Sequence, residues 1–380
     1  MRVNPILERL GANPMASLHE RARALAEDGP ILDFTVGDPR EATPPVVPEA
    51  LHGAVPEVSQ YPVAAGTGPA RQSVADYVER RTGVEVDPDT QVLITGGSKE
   101  AVFHTPAALC EVGSDAIAVC PSPGYAPYER GALHAGITPH LHPLSGDFVL
   151  RPGDLGPETW DRAELLWANY PHNPSGAVIG EHDLRSLMDR AREADCWFAA
   201  DECYLDVYEG APPLSALQFA DTDLTGVLSY LSNSKRDGMT GYRSGAVVGD
   251  ARAIEAMRKL KQVAGTTPPE FVQEAAIAAW STSDHVAERN ATFARKRAIL
   301  RSAFEDLGYE VVASEAGLYL WVAVGDEQAV ADRLLASRIL VTPGSVFGPG
   351  GEGHIRLALV PTIEVCTHAN EEIRRCLTKP

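Results

Sequence analysis

Six short apolar runs punctuate the middle of the chain: QVLITGG (91–97), DAIAVC (115–120), ELLWANY (164–170), CWFAAD (196–201), TGVLSYLS (225–232) and SGAVVGD (244–250). Each is flanked by turn signals. Continuous apolar runs of this length predict strands buried on both faces. Between two of them, HDLRSLMDRAREAD places Leu184, Leu187, Met188 and Ala191 on one helical face. Strand–helix alternation of this kind predicts an α/β fold with a mostly parallel sheet. Past residue 250 the pattern changes. Helical periodicity covers 251–263 and 285–307, with Gly308 as the expected C-cap. YEVVAS, LYLWVAV, ILVTPG and HIRLALV follow as short strands, mixed with helices at 326–337 and 362–377. This second pattern predicts a smaller α+β domain. The Pro-rich PREATPPVVPEA (39–50) is the expected crossing between the two.

At 380 residues the chain is long enough for two domains and a sizeable core. No window approaches 18 consecutive apolar residues, so no membrane span is expected. The start, MRVNPILERLGANP, lacks the apolar core of a signal peptide and suggests a cytoplasmic chain. A net charge of −19 disfavours nucleic-acid binding, because RKLKQ (258–262) is too small a basic patch to offset it. The six cysteines form no C-x-x-C pair and read as free thiols in a reducing compartment. No metal site is expected.

Lysine is scarce, with six residues (99, 235, 259, 261, 296 and 379) against 27 arginines. Lys259, Lys261 and Lys296 lie on charged helix faces, and Lys379 is near the terminus; all four read as solvent-exposed. Lys235 sits in SYLSNSKRDGMTGYRSG, with Ser232, Ser234 and Arg243 nearby. It is either a solvated turn lysine or an amine poised for Schiff-base chemistry, with hydroxyls and a guanidinium able to hold a phosphate. In ITGGSKEAVF (94–103) a strand ends at Gly96-Gly97, and Ser98 opens a helix whose N–H groups suit an anion. The plain alternative is a capping turn with Ser98 as N-cap. Asp201 and Tyr204 close the run ADECY, where α/β sheets bind ligands. They suit a protonated ring nitrogen and a phenolate oxygen, or equally a helix cap and core packing. Asn173 precedes Pro174 in a turn; Tyr125 is a stacking platform or a surface aromatic. Arg356, inside the apolar run HIRLALV, needs an anion from an internal salt bridge or a substrate carboxylate.

These motifs, in this order from DFTVGDP (33–39) to GHIRLALVPT (353–362), resemble the fold-type I pyridoxal-phosphate (PLP) aminotransferases of class I/II. FTVGDPRE, YERGA, SK-R-x-x-M-x-G-Y-R-S-G and PGS-x-FGP-x-GEG are similar to the succinyldiaminopimelate aminotransferases. The resemblance implies a large domain with a mostly parallel seven-stranded sheet over residues 46–264. Residues 1–45 would form an N-terminal arm and part of the small domain, and 265–380 the small C-terminal domain. It implies PLP as cofactor, with Lys235 as the Schiff-base lysine and Asp201 on the ring nitrogen. Tyr204 and Asn173 would bond the ring oxygen, and Tyr125 would stack on the ring. Ser98, Lys99, Ser232 and Arg243 would cradle the phosphate. Arg356 would clamp the substrate α-carboxylate, with Gly37 and Asn173 close by. Tyr61, in QYPVAAG, would reach the partner subunit's phosphate in a homodimer with shared active sites.

Three positions depart from the family's pattern. Asn233 stands where an apolar or aromatic residue is frequent, and His172 where Asn is frequent. Asp237 replaces a small neutral residue and is expected to add negative charge near the phosphate. The implied reaction moves an amino group between an amino acid and a 2-oxo acid, with N-succinyl-LL-2,6-diaminopimelate and glutamate/2-oxoglutarate as the expected pair. The alternatives are an aminotransferase for an aromatic, aspartate-like or specialised amino acid, a PLP lyase or synthase, and a non-enzymatic sensor.

Overall fold

The computed structural model describes residues 3, 5–9, 15–27 and 29–378. Its main sheet has seven strands: β1 (Val92–Thr95), β2 (Ile117–Ser122), β3 (Thr138–Pro143), β4 (Ala163–Asn169), β5 (Trp197–Asp201), β6 (Val227–Ser232) and β7 (Gly245–Gly249). They lie in the order β1-β7-β6-β5-β4-β2-β3. Only β7 runs antiparallel to its neighbours. The six apolar runs all became strands, and β1, β2, β6 and β7 are buried along their whole length. The seventh, β3, has the sequence TPHLHP and is half-buried at the edge, exposed only at its two ends. Two prolines without N–H groups and two histidines suit an edge strand and carry no apolar signal.

Helices cover both faces. The predicted amphipathic helix spans Glu181–Glu193 and buries Leu184, Leu187, Met188 and Ala191, as its spacing requires. Acidic residues in its first turn and arginines in its last complement the helix dipole. Ser98–Leu109 begins one residue earlier than a Ser98 cap would place it: Gly97 is the N-cap, at φ +84°, and Ser98 is the first helical residue. The last five residues of the Pro-rich crossing begin a helix, Val46–Ala54. Glu270–Trp280, which was not among the predicted helices, packs Ala276 and Trp280 into one cluster with Val92, Ile94 and Ala246 of the main sheet. The long helix Asp284–Glu305 ends at Asp306, and Gly308 (φ +81°) completes the reversal two residues after that cap.

A second, four-stranded antiparallel sheet contains β8 (Glu310–Val312), β9 (Tyr319–Ala323), β10 (Thr342–Pro343) and β11 (His354–Ala358), in the order β10-β11-β9-β8. Leu32–Asp33 pairs in parallel with Ile339–Leu340, tying the early chain to this region. No helix among the described residues is long and apolar enough to cross a membrane. All six cysteines are free.

Two of the lysines read as solvent-exposed are not. Lys261 is buried on Ala251–Ala264 and pairs with Glu100 at 3.0 Å. Lys296 is 1% exposed, pairs with Glu41, and donates to the carbonyls of Leu359 and Val360. Charged helix faces hid the carboxylates that other segments bring to these amines. Lys259 is exposed, as expected. Lys379 lies outside the described residues.

Candidate active site

A cavity of about 930 Å³ opens between the C-terminal edge of the parallel strands and the second sheet. Asn169, Asp201 and Ser232 end β4, β5 and β6 at its floor. This is where a parallel sheet leaves its strand ends open to a ligand. Of the twelve residues expected to serve the site, eleven line the cavity: Gly37, Ser98, Lys99, Tyr125, Asn173, Asp201, Tyr204, Ser232, Lys235, Arg243 and Arg356. The twelfth, Tyr61, lies outside it and is 97% exposed.

Lys235 lies on a single helical turn, Asn233–Arg236, capped by the Ser232 hydroxyl, which accepts from Ser234 N at 3.1 Å. Its Nζ donates to the Gly37 carbonyl. A Cβ at Gly37 would collide with the Tyr319 hydroxyl, so the chain can approach this closely only as glycine.

Asp201 is buried with no cationic partner among the described residues. Its Oδ2 accepts from the Tyr128 hydroxyl at 2.7 Å, and its Oδ1 from Cys203 N at 3.3 Å. Burial raises its pKa, and these hydrogen bonds only partly offset that. Tyr128 is held by stacking on Trp167, at 4.7 Å between ring centres. A buried carboxylate facing a cavity and lacking a counter-ion fits a protonated ring nitrogen.

The phosphate side is equally open. Gly97 supplies no side-chain cap, so the first N–H groups of Ser98–Leu109 face the cavity unclaimed. Arg243 holds a left-handed φ of +57° and anchors its guanidinium on the carbonyls of Thr240 and Gly96, each at 3.0 Å. A Cβ on Gly97 would sit 2.8 Å from Arg243 Nη2, so the glycine admits the guanidinium. Helix N–H groups, an arginine and the Ser232 and Ser234 hydroxyls form a donor set that fits PLP's phosphate.

Arg356 is buried between Tyr319 and Phe347, with its guanidinium carbon 4.1 and 4.4 Å from their ring centres. It donates to Asn173 Oδ1 at 2.8 Å and to the Thr35 carbonyl at 2.5 Å. Among the described residues it has no carboxylate partner, and its Nε is unpaired. Burial lowers its pKa. The internal salt bridge left open by the sequence is therefore absent. Asn173 takes its place through Asn169, whose Oδ1 accepts from Asn173 N at 2.8 Å. Tyr204 shares a hydrogen bond with Tyr319 at 2.8 Å.

Sequence reasoning missed Tyr128, Tyr319 and Phe347. All three are aromatics in apolar or turn segments, where nothing local separates a site residue from core.

The three departures sit beneath or beside the site. Asp237 is fully buried and adds no free charge near the phosphate, contrary to expectation. Its carboxylate accepts from Arg236 Nη1 at 2.5 Å, Asn233 Nδ2 at 2.9 Å and His285 Nε2 at 2.7 Å. Arg236 also meets Asp206 at 2.9 Å, and Asp206 takes Tyr77 and Arg81, each at 2.8 Å. Asn233 completes the cluster, because its Oδ1 accepts from the Ser244 hydroxyl at 2.9 Å. His172 is buried and neutral: its Nε2 donates to the Pro123 carbonyl at 3.1 Å, and its Nδ1 accepts from the Ser175 hydroxyl at 2.7 Å. Burial pushes its pKa down to about 4.

Comparison with known proteins agrees with this geometry. Residues 29–373 match the family "Aminotransferase class I and II". The chain is 37% identical to a probable aminotransferase of Mycobacterium tuberculosis, over 90% of this chain and 80% of that one. It is 32% identical to an LL-diaminopimelate aminotransferase of Aquifex aeolicus, over 94% and 95%. The solved structure of a probable N-succinyldiaminopimelate aminotransferase from Thermus thermophilus superposes with a TM-score of 0.88 at 26% identity, covering 95% of this chain and 99% of that one. The chain belongs to the class I and II aminotransferases, enzymes that depend on PLP.

Proposed function

We propose that this aminotransferase acts on N-succinyl-LL-2,6-diaminopimelate, with glutamate/2-oxoglutarate as the second pair. One observation carries the reading: five basic side chains line the cavity (Lys99, Arg130, Lys235, Arg243 and Arg356), against two acidic ones, Asp38 and Asp201. This excess of positive charge occurs in a chain of net charge −19. Beyond its reacting amino acid, the succinylated substrate carries two carboxylates and no ammonium. Free LL-diaminopimelate carries one of each there, and would need a facing acid as well as a base. The name of the Aquifex relative favours the free amino acid, and that of the Thermus structure the succinylated one. A surplus of cations supports the second.

PLP supplies the electron-accepting ring on which the amino group is exchanged. Lys235 would hold the cofactor through its Nζ, and its amine would move the proton at the substrate Cα. Asp201 holds the ring nitrogen protonated. Tyr204 and the Asn173 amide nitrogen bond the ring oxygen, and Tyr125 stacks on the ring. The open helix N–H groups at Ser98 and Lys99, together with Ser232 and Arg243, hold the phosphate. Arg356 takes the α-carboxylate as a bidentate pair.

Tyr61 enters a neighbouring subunit's site in a homodimer; its exposure supports this. Mixing inactive Tyr61→Ala and Lys235→Ala chains should restore activity toward half the wild-type value per heterodimer. Mixtures that stay inactive would place each Tyr61 in its own pocket. We also propose that the larger domain extends through Trp280 rather than stopping at 264, since that helix shares its core.

The substrate test is a panel of kcat/KM values. N-succinyl-LL-2,6-diaminopimelate should lead free LL-diaminopimelate, aspartate and aromatic amino acids. A lead for the free or an aromatic amino acid would overturn the reading.

A further inference from the structure

We propose that Arg130 is the specificity-determining residue for a second, distal carboxylate on the substrate. The inference deepens the anionic-substrate reading above and rests on it.

Most of the charges at the cavity already have a task. Arg356 faces an α-carboxylate, Arg243 a phosphate, and Lys235 the cofactor's aldehyde carbon. Asp201 answers the ring nitrogen. Two cations remain, Lys99 and Arg130, and one acid, Asp38, which is exposed. Lys99 sits in the first turn of Ser98–Leu109 and is itself exposed. Arg130 is different because it is half-buried.

Among the described residues, every other buried or half-buried arginine has a hydrogen bond, an ion pair or both. Arg236 and Arg297 have carboxylates, Arg289 has carbonyls, and Arg338 has the Leu25 and Gly29 carbonyls. Among the described residues the Arg130 guanidinium has no hydrogen-bond or ion-pair partner. A guanidinium that gives up part of its hydration with no partner in return is a standing cost. A ligand carboxylate would offset it through the planar fork that matches two oxygens.

The backbone beneath Arg130 is fixed. It lies on the helix Pro127–Ala135 (PYERGALHA). Pro127 and Arg130 both line the cavity, as residues three apart on one helix face can. The next residue, Gly131, is pressed on the neighbouring helix: a Cβ there would lie 2.7 Å from the Phe103 carbonyl oxygen. Tyr128, two residues before, is pinned by Asp201. Only the Arg130 side chain is left to adjust to a ligand. Phe103, which lines the same wall, stacks near His134 at 5.0 Å and gives the distal pocket an apolar side. Arg356 reaches the cavity from the second sheet. The two guanidiniums therefore reach the one cavity from separate elements.

The test uses holoenzyme and two matched probe pairs. Glutarate and valerate, which do not react, are titrated calorimetrically. L-glutamate and L-norvaline, which differ by the side-chain carboxylate, are compared by single-turnover change in cofactor absorbance. Arg130→Gln should weaken glutarate and slow glutamate by about 10- to 100-fold, the low end of a guanidinium–carboxylate pair because the site is half-open. Valerate and norvaline should change by no more than about twofold. Arg130→Lys, which keeps the charge but loses the fork, should fall between. Lys99→Gln is the comparator. The proposal is overturned if Arg130→Gln binds glutarate as tightly as wild type, if both members of each pair suffer equally, or if the selective loss appears in Lys99→Gln instead. If wild-type enzyme prefers norvaline to glutamate, the anionic-substrate reading fails, and the glutarate titration still decides Arg130 on its own.

Discussion

Behind Lys235 and in front of it lie two groups of buried charge that follow opposite rules. Behind it, Asp206, Arg236 and Asp237 satisfy one another, with Arg81, Asn233 and His285 closing the remaining valences. Tyr77 and Trp280 cover the Arg236 guanidinium at 5.1 and 5.7 Å. In front, Asp201 and Arg356 are as buried but have no ionic partner among the described residues. The first group pairs its charges without a ligand and holds the turn that carries Lys235. The second is incomplete, and its deficits match the two ends of an amino-acid–cofactor pair. Burial alone therefore does not separate scaffold charge from working charge; the presence of an internal counter-ion does.

Asp201→Asn tests the incomplete side most severely. Transamination should fall about 10²- to 10⁴-fold, in the range of a lost proton-handling group. The cofactor-free protein should nevertheless melt at a higher temperature than wild type near neutral pH. The sign follows from the raised pKa of Asp201. The folded chain prefers the protonated acid, so cofactor-free wild type gains stability as pH falls through that pKa and loses it as pH rises. Near-normal turnover, or a variant less stable at neutral pH, would break the comparison. On the complete side, Arg236→Ala should cost about 3–5 kcal/mol in urea unfolding, because two carboxylates are left buried and uncompensated. A loss below about 1 kcal/mol would mean the cluster is not what holds this region.

Arg356→Ala should behave in the opposite way. Catalytic efficiency toward α-amino acids should drop by about 2–5 kcal/mol, while cofactor binding and melting temperature stay close to wild type. Amines without a carboxylate should be spared; equal losses would make Arg356 structural. The smallest effect is expected where the fold suppresses charge altogether. His172 is held neutral, with its pKa pushed down to about 4 from an ordinary 6.5. Its contribution is complete above about pH 6.5 and is lost progressively toward pH 4, by at most about 3 kcal/mol. The melting temperature of His172→Asn should therefore decline less steeply than wild type across that window. Parallel pH profiles would show that His172 does not drive acid sensitivity.

By itself the sequence determined the strand–helix alternation, the buried parallel strands and most of the cavity's polar residues. Apolar runs such as VLIT and GAVVG have a single stable use, the interior of a sheet. Strand-end residues such as Asp201 and Ser232 are located by the strands themselves. The sequence was silent wherever meaning came from a partner far along the chain. The edge strand TPHLHP exists because β2 offers it a ladder. Lys261 and Lys296 look like surface cations until Glu100 and Glu41 arrive from residues more than 150 positions away. Asp237 reads as a charge beside a phosphate until Arg236 turns inward and His285 closes over it. Tertiary structure alone decided which buried charges found a counter-ion and which were left waiting for a ligand. Pairing depends on distance in space, and local pattern carries no record of it.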